Sequence, residues 1–359
     1  MVSKIGFVYS SFNNYDMFEN EVLQRVDFND YPVVNIDDHS DPEEQEKGKL
    51  ICASNKIEYQ LNNRKGLQHA VDQGIEYLFS KHGCEWVFCL QQDVYPIESS
   101  FFSDFEKYVN DRDVENIGAI GFNVLDADNR AATIDSYKNY LRDGFAKGSL
   151  GIFFLSDSKH DFQRMSLFWY LVTTFLRWFG NDKYKEKGIR FSNAKRWFSE
   201  INFHNFNKVA NKYSGLCSVE LPIWAGVAIN VKNWKVHIKP SDDFIFHLWF
   251  NDVAMQWLNA NVDLAVASDL YLLNDQCIKE KYGFQRDSAA AGRSGDIKHV
   301  EQYGQHLINF ESRWGFDYIN PRLSYPKVSD RYAGTLVDRY FNHDCRLGPL
   351  KIYKHRNNT

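Results

Sequence analysis

The run Trp86–Leu90, WVFCL, turns polar at Gln91, Gln92 and Asp93, and Pro96 closes the stretch. Five apolar residues in a row fit a strand covered on both faces, the pattern of a parallel sheet flanked by helices. Proline has no backbone donor, so the strand cannot continue regularly through it. In open α/β sheets, ligands bind just beyond the carboxyl ends of the strands. Asp93 therefore stands where a ligand or a metal ion would be held. The plainer alternative is that Asp93 only caps the turn or the following helix.

The segments around this run follow the same logic. Ile5–Tyr9 is a short apolar run ending in the polar loop Ser10, Ser11, Phe12, Asn13 and Asn14. Phe18, Val22 and Val26 recur every four residues, which predicts a helix packed back on the sheet. Val33–Ile36 reads as a second strand, followed by the small polar cluster Asp37–Asp41. Such residues favour turns through side-chain to backbone hydrogen bonds. The functional alternative is that Asp37 accepts a hydrogen bond from a nucleobase. In NNRKGLQHAVDQGIEYLF, Leu67, Ala70, Val71, Ile75 and Leu78 share one helical face, with Asn63 as the expected N-cap. Arg64 and Lys65 then lie at the positive end of that helix, where a phosphate is favoured. A capped surface helix with solvated charges is the alternative. Phe101, Phe102, Phe105, Tyr108 and Val109 mark a further helix, and Ile117–Asp126 a further strand. Strand and helix thus alternate, the signature of a mostly parallel sheet with right-handed crossovers.

The pattern breaks after residue 130. Met165–Phe179 is strongly aromatic and is followed by Lys183, Lys185, Lys187, Arg190, Lys195 and Arg196. Residues 131–217 are read as a helical, aromatic insertion. The alternative is a segment lying on a membrane surface, with peripheral contact there. Sheet-like pattern resumes in 218–275, with LPIWAGVAIN, a helix near Asp252 and a strand at Val262–Ala267. Residues 276–359 form a C-terminal extension with one clear helix near Val300–Ser312.

Composition narrows the function. A net charge of −5 lacks the basic footprint of a nucleic-acid binder. The six cysteines show no CxxC pair and no zinc spacing, and read as reduced core thiols. No run reaches the roughly 20 apolar residues of a membrane span. The opening MVSKIGFVYSS has no signal-like apolar segment, so the expectation is a cytoplasmic protein.

The order of these motifs resembles the family 2 glycosyltransferases, which have the GT-A fold. The likeness runs from Ile5 to Ala267. VYSSFNN matches the first strand and its polar loop. Asp37, Ser40 and Asp41 match a D-x-x-S-x-D-like loop, and Asn63, Gly66 and Ala70 match the helix that follows. Gln91, Gln92 and Asp93 stand at the D-x-D strand end. WAGVAIN matches the acceptor strand, Asn251 and Asp252 the E-D motif, and RWG at Arg313–Gly315 a late K-W-G.

The resemblance implies a Rossmann-like GT-A domain that moves a sugar from a nucleotide sugar to an acceptor hydroxyl of a glycan or glycoconjugate, with inversion. Residues 1–130 would be the donor half and 218–275 the acceptor and catalytic half. Donor binding falls to Ser10, Asp37, Asn63, Lys65, Gln92 and Asp93, acceptor binding to Trp224 and Asp243, and general base catalysis to Asp252. Trp224 in an apolar strand also fits a core residue. A Mn²⁺ or Mg²⁺ ion would sit on Asp93. The chain departs from the family there: Gln91 replaces an acid, Asn251 replaces Glu, and no His follows the last strand. Hard cations prefer several oxygen ligands, so the expected metal site is weak. Two rival readings are a degenerate sugar- or partner-binding module and a nucleotidyltransferase. The second lacks a glycine-rich loop after the first strand.

Overall fold

The computed structural model describes residues 4–26, 28, 31–91, 94–127, 215–222, 224, 226–275, 281–282, 297–318, 324–343 and 349–354. Its centre is a mixed sheet. The strands are β1 (Ile5–Ser11), β2 (Val33–Asp37), β3 (Glu58–Leu61), β4 (Trp86–Leu90), β5 (Val94–Pro96), β6 (Ile117–Ala127), β7 (Leu216–Val219), β8 (Gly226–Asn230), β9 (Asp263–Asp275) and β10 (Ile352–Tyr353). Their order is β10-β7-β9-β6-β8-β4-β1-β2-β3, with β5 paired to β9. Parallel pairing joins β3, β2, β1 and β4, and antiparallel β8 links β4 to β6. The pairings make β1, β2, β3, β4, β6, β9 and β10 point one way, so most strand ends share one edge. This is the expected α/β, Rossmann-like architecture.

The helices are α1 (Tyr15–Met17), α2 (Pro42–Ser54), α3 (Leu67–His82), α4 (Phe101–Asp111), α5 (Val231–His237), α6 (Trp249–Asn259), α7 (Ile297–Trp314) and α8 (Leu336–Asn342). They divide the core into two layers. One face of the sheet packs α3, α6 and the C-terminal helices through Val8, Val34, Ile75, Val253, Trp257 and Phe310. The other packs α4 through a cluster of phenylalanines, with Phe88 against Phe7, Phe105 and Phe122. Burying a Phe side chain stabilises by about 1.5–3 kcal/mol, so this aromatic layer is a large part of the core.

Several expectations shift in detail. The helix expected after β1 is short: α1 passes at Phe18 into a wider π-type turn ending at Val22. α2 and β3 carried no periodic apolar signal, because α2 buries little beyond Gly48, Ile51 and Cys52 and β3 is an edge strand. Asn63 is not the N-cap of α3. Gly66 occupies that position at φ 120°, and a Cβ there would meet the Ile245 backbone at 3.1 Å. Glycine is the residue that accepts such a φ and such an approach. The C-terminal extension joins the same sheet, since β10 pairs with β7. Residues 131–214, the bulk of the expected insertion, lie outside the described residues.

Candidate active site at the carboxyl edge of the sheet

Five elements that carry sequence motifs meet one edge of the sheet. β1, β2 and β4 end there, and antiparallel β8 begins there, with Gly226 opposite Leu90. Trp224 therefore lies beside the end of β4. α6 leads into β9, whose amino end pairs with that of β6, so the first turn of α6 also lies at the ligand edge.

At the β1–β2 side the polar residues build a rigid loop. Asn13 and Asn14 both take left-handed backbone, at φ 55° and 62°. Asn13 is pinned by its N–H to Ser40 Oγ at 2.7 Å and by the Asp41 N–H to its Oδ1 at 2.9 Å. These bonds offset the strain, and the result leaves Phe12 54% exposed at the rim. Asp37 is wholly buried. Its carboxylate accepts from Tyr15 Oη at 2.6 Å and from the Ser40 N–H at 2.7 Å. The expectation that Asp37 meets a nucleobase is therefore corrected: sealed from solvent, it organises the loop instead. Its charge and the apolar surroundings push the Tyr15 hydroxyl far up from its ordinary value, burial being the larger cause.

The neighbouring Asp38 does what a reading of the loop missed. Its Oδ1 accepts from Asn62 Nδ2 at 2.7 Å and from the Gly66 N–H at 2.8 Å. It thereby closes the turn that carries exposed Asn63, Arg64 and Lys65 into α3. Ser10, on the α3 side of β1 like Val8, has a buried Oγ with no hydrogen-bond partner in the structure. Gln92 and Asp93 lie outside the described residues, so their expected donor and metal roles are not placed. Among the described residues, no three His, Cys, Asp or Glu side chains gather to hold a metal ion.

The segment Ser241–Leu248 crosses the start of α3. Ile245 O accepts from the Leu67 N–H at 2.9 Å, so the first amide of α3 is already capped by protein rather than open to a phosphate. Asp242 pairs with His69 Nε2 at 2.7 Å. Asp243 is exposed, and its carboxylate accepts from Ser241 Oγ at 3.2 Å. Leu248, at φ 58°, ends the segment in left-handed backbone and starts α6.

Asp252 is in the first turn of α6 and not its N-cap, and it is fully buried. Oδ1 accepts from Trp314 Nε1 at 3.0 Å and pairs with Arg313 Nε at 3.1 Å. Oδ2 accepts from Gln256 Nε2 at 2.9 Å. Burial pushes the Asp252 carboxyl up to about 6, against the pull of Arg313, Gln256, Trp314 and Gln68. A buried carboxylate with a cation and three further donors keeps its charge near neutral pH while holding a proton more readily than a surface acid. An aromatic wall stands at the same edge of the sheet. Half-buried Trp224 meets Trp249 edge-on at 5.9 Å and Phe246 at 6.5 Å.

No family model matches the chain, and no curated protein matches it. Among solved structures it is similar to a mannosyltransferase from Pyrobaculum calidifontis in complex with GDP-Man and Mn²⁺. The identity is 9% and the TM-score 0.41, over 87% of this chain and 76% of that one. A likeness of that size carries no argument about this chain. Among the described residues no helix is long and apolar enough to cross a membrane.

Proposed function

We propose that the protein is a GT-A glycosyltransferase that moves a sugar from a nucleoside diphosphate sugar to an acceptor hydroxyl, with inversion. The observation that carries the reading is Asp252: a buried acid, poised near neutrality, clamped by Arg313 and Trp314 at the ligand edge of an α/β sheet. General bases work best when their proton affinity lies near the operating pH. In the reaction the acceptor oxygen bonds to the anomeric carbon and its proton passes to Asp252 Oδ2. The bond from that carbon to the diphosphate oxygen breaks, and the nucleoside diphosphate leaves with the electron pair.

The donor belongs at the β1–β2 side. The exposed Phe12 ring offers a stacking face for a nucleobase, and the orphaned Ser10 hydroxyl a hydrogen bond. Lys65 and Arg64 supply positive charge toward a diphosphate, a fixed charge that favours the developing anion. Asn63 sits on the same turn. Trp224 presents an aromatic face to the acceptor, and Asp243 lies on the segment bordering it. Asp93 is the residue that would hold a divalent cation, which supplies charge to the leaving group. A strand end with one carboxylate and two glutamines suits a hard cation poorly, so the reading routes no step through a metal. The insertion 131–217 would cover the acceptor.

The test is a panel of nucleotide sugars assayed for hydrolysis and for thermal stabilisation of the protein. Stabilisation by a nucleoside diphosphate with turnover of its sugar is the expected outcome. Full burial of Asp252 favours a second reading, a catalytically silent sugar- or partner-binding module. That reading requires no turnover and no stabilisation by any nucleoside diphosphate.

A further inference from the structure

The candidate active site uses the carboxyl edge of the sheet. At the opposite edge, where β2 starts at Val33 and β3 at Glu58, lies a cavity of about 420 Å³. Small-molecule sites occupy about 300–1,000 Å³. Its floor is apolar and buried, made by Val26, Val33 and Ile57. Half-buried Phe28 and Tyr31 add aromatic walls, the Tyr31 hydroxyl being engaged with Glu106. The mouth is polar, with half-buried Arg25 and exposed Gln24, Asn55 and Lys56.

That mouth carries positive charge. Arg25 Nη1 pairs with Glu21 at 2.6 Å, and the guanidinium lies 5.0 Å from the Tyr95 ring centroid, so it is fixed in place. Buried Glu21 also pairs with Lys281 Nζ at 2.7 Å, so one carboxylate serves two cations. Lys56 Nζ has no ion-pair or hydrogen-bond partner among the described residues. Lys56 also takes left-handed backbone, at φ 58°, just past Asn55, the C-cap of α2. Glycine is the usual residue there, because it adopts that φ without strain. A lysine kept in a strained conformation, with its charge unpaired at the mouth of a cavity, points to a ligand.

We propose that this cavity is a second small-molecule site, and that it takes a small organic anion. An aromatic or short acyl body lies on the apolar floor, and its carboxylate or phosphate is held by Lys56 beside Arg25. An inorganic ion alone would leave that floor facing water. A neutral body of the same shape would leave Lys56 unserved. The proposal does not rest on the glycosyltransferase reading, because the residues that carry it lie at the other edge of the sheet.

The experiment uses the full chain with phenyl phosphate, indole-3-acetate and octanoate. Each is set against an uncharged counterpart, phenol, indole-3-ethanol or octanol, with binding titrated by saturation-transfer NMR. Wild type is expected to bind at least one of the anions, and its counterpart about tenfold more weakly. Lys56→Gln, at an exposed position that keeps the fold, is expected to weaken the anion about tenfold, the size of one hydrogen bond to a charged group. Binding of the uncharged counterpart should not change, and Lys56→Arg should keep the anion. Asp252→Asn, at the other edge, should bind the anion as wild type does. Binding of none of the anions overturns the proposal, as does equal binding by wild type and Lys56→Gln. Loss of the anion in Asp252→Asn would put it in the candidate active site and overturn the proposal as well.

Discussion

Asp37 and Asp252 are both fully buried acids at the same edge of the sheet, and their partners differ in kind. Asp37 is served by two neutral donors, Tyr15 Oη from α1, 22 residues away, and the Ser40 N–H of its own loop. Neither donor carries a charge, and removing the acid would unpin the loop after β2. Asp252 is served by Trp314, 62 residues away in sequence, by the cation Arg313 and by Gln256 on its own helix. The Gln68 carboxamide, from α3, also favours its ionised form. The contrast separates a carboxylate braced by neutral donors from one whose proton affinity is raised beside a cation. Burial alone does not distinguish them; the charge of the neighbours does.

The sharpest way to break this contrast is to neutralise each acid. Asp252→Asn should lower the transfer rate about 10²–10⁴-fold, the usual contribution of a positioned base, with nucleoside diphosphate affinity retained. Steady-state kinetics with calorimetric titration of the nucleotide decide it, and near-wild-type turnover would remove Asp252 from the mechanism.

Stability against pH gives the next effect. The Asp252 carboxyl is raised to about 6 from the usual 3.8. Between those values the folded state keeps a proton that the unfolded state has released. Stability from this group is therefore lost as pH rises from about 4 to about 6, and the penalty is constant above that. The loss should reach about 3 kcal/mol, relative to Asp252→Asn, in urea unfolding at pH 4 and pH 7. The base must be ionised to act, so activity should rise over the upper part of the same window. Arg313→Gln removes a cation that favours the ionised acid, so it should move that rise to higher pH.

Asp37→Ala should behave in the opposite sense. It leaves the Ser40 N–H and Tyr15 Oη without their acceptor and should cost about 1–3 kcal/mol in urea unfolding. It should leave the pH profile of turnover where it was. A shifted profile would erase the distinction between the two acids.

The smallest effect concerns the strand end at Asp93. With one carboxylate there, chelation by EDTA should slow transfer by less than tenfold, a change worth under about 1.4 kcal/mol. Complete loss restored by Mn²⁺ would mean that the donor side holds further ligands for the ion.

Asp252 and Trp224, singled out from the sequence, both lie at the carboxyl edge of the sheet. It also noted Arg313–Gly315, without any sign that Arg313 and Trp314 reach Asp252. Asp37 and Asp38 are adjacent in a polar run, and a one-residue step along a strand changes the face a side chain takes. Only the register of β2 decides that Asp37 is sealed while Asp38 braces the turn before α3. Asn63 looked like a cap, but the stretch Ile245–Leu248 comes from far along the chain to cap α3 itself. Gln68 gave no signal, because a glutamine near a helix start reads as a solvated residue. Phe12 was passed over as one member of a polar loop, although an aromatic there was the one cue available for it.

The sequence by itself determined the alternation of strands and helices, and so the edge on which polar loops gather. That information is local: apolar runs of strand length, helical periodicity and the residues that end them. Tertiary structure alone decided which acid is raised toward neutrality and which is braced by neutral donors. A carboxylate's proton affinity depends on desolvation and on donors brought from α3 and α7, and such contacts leave no trace in the spacing of neighbouring residues.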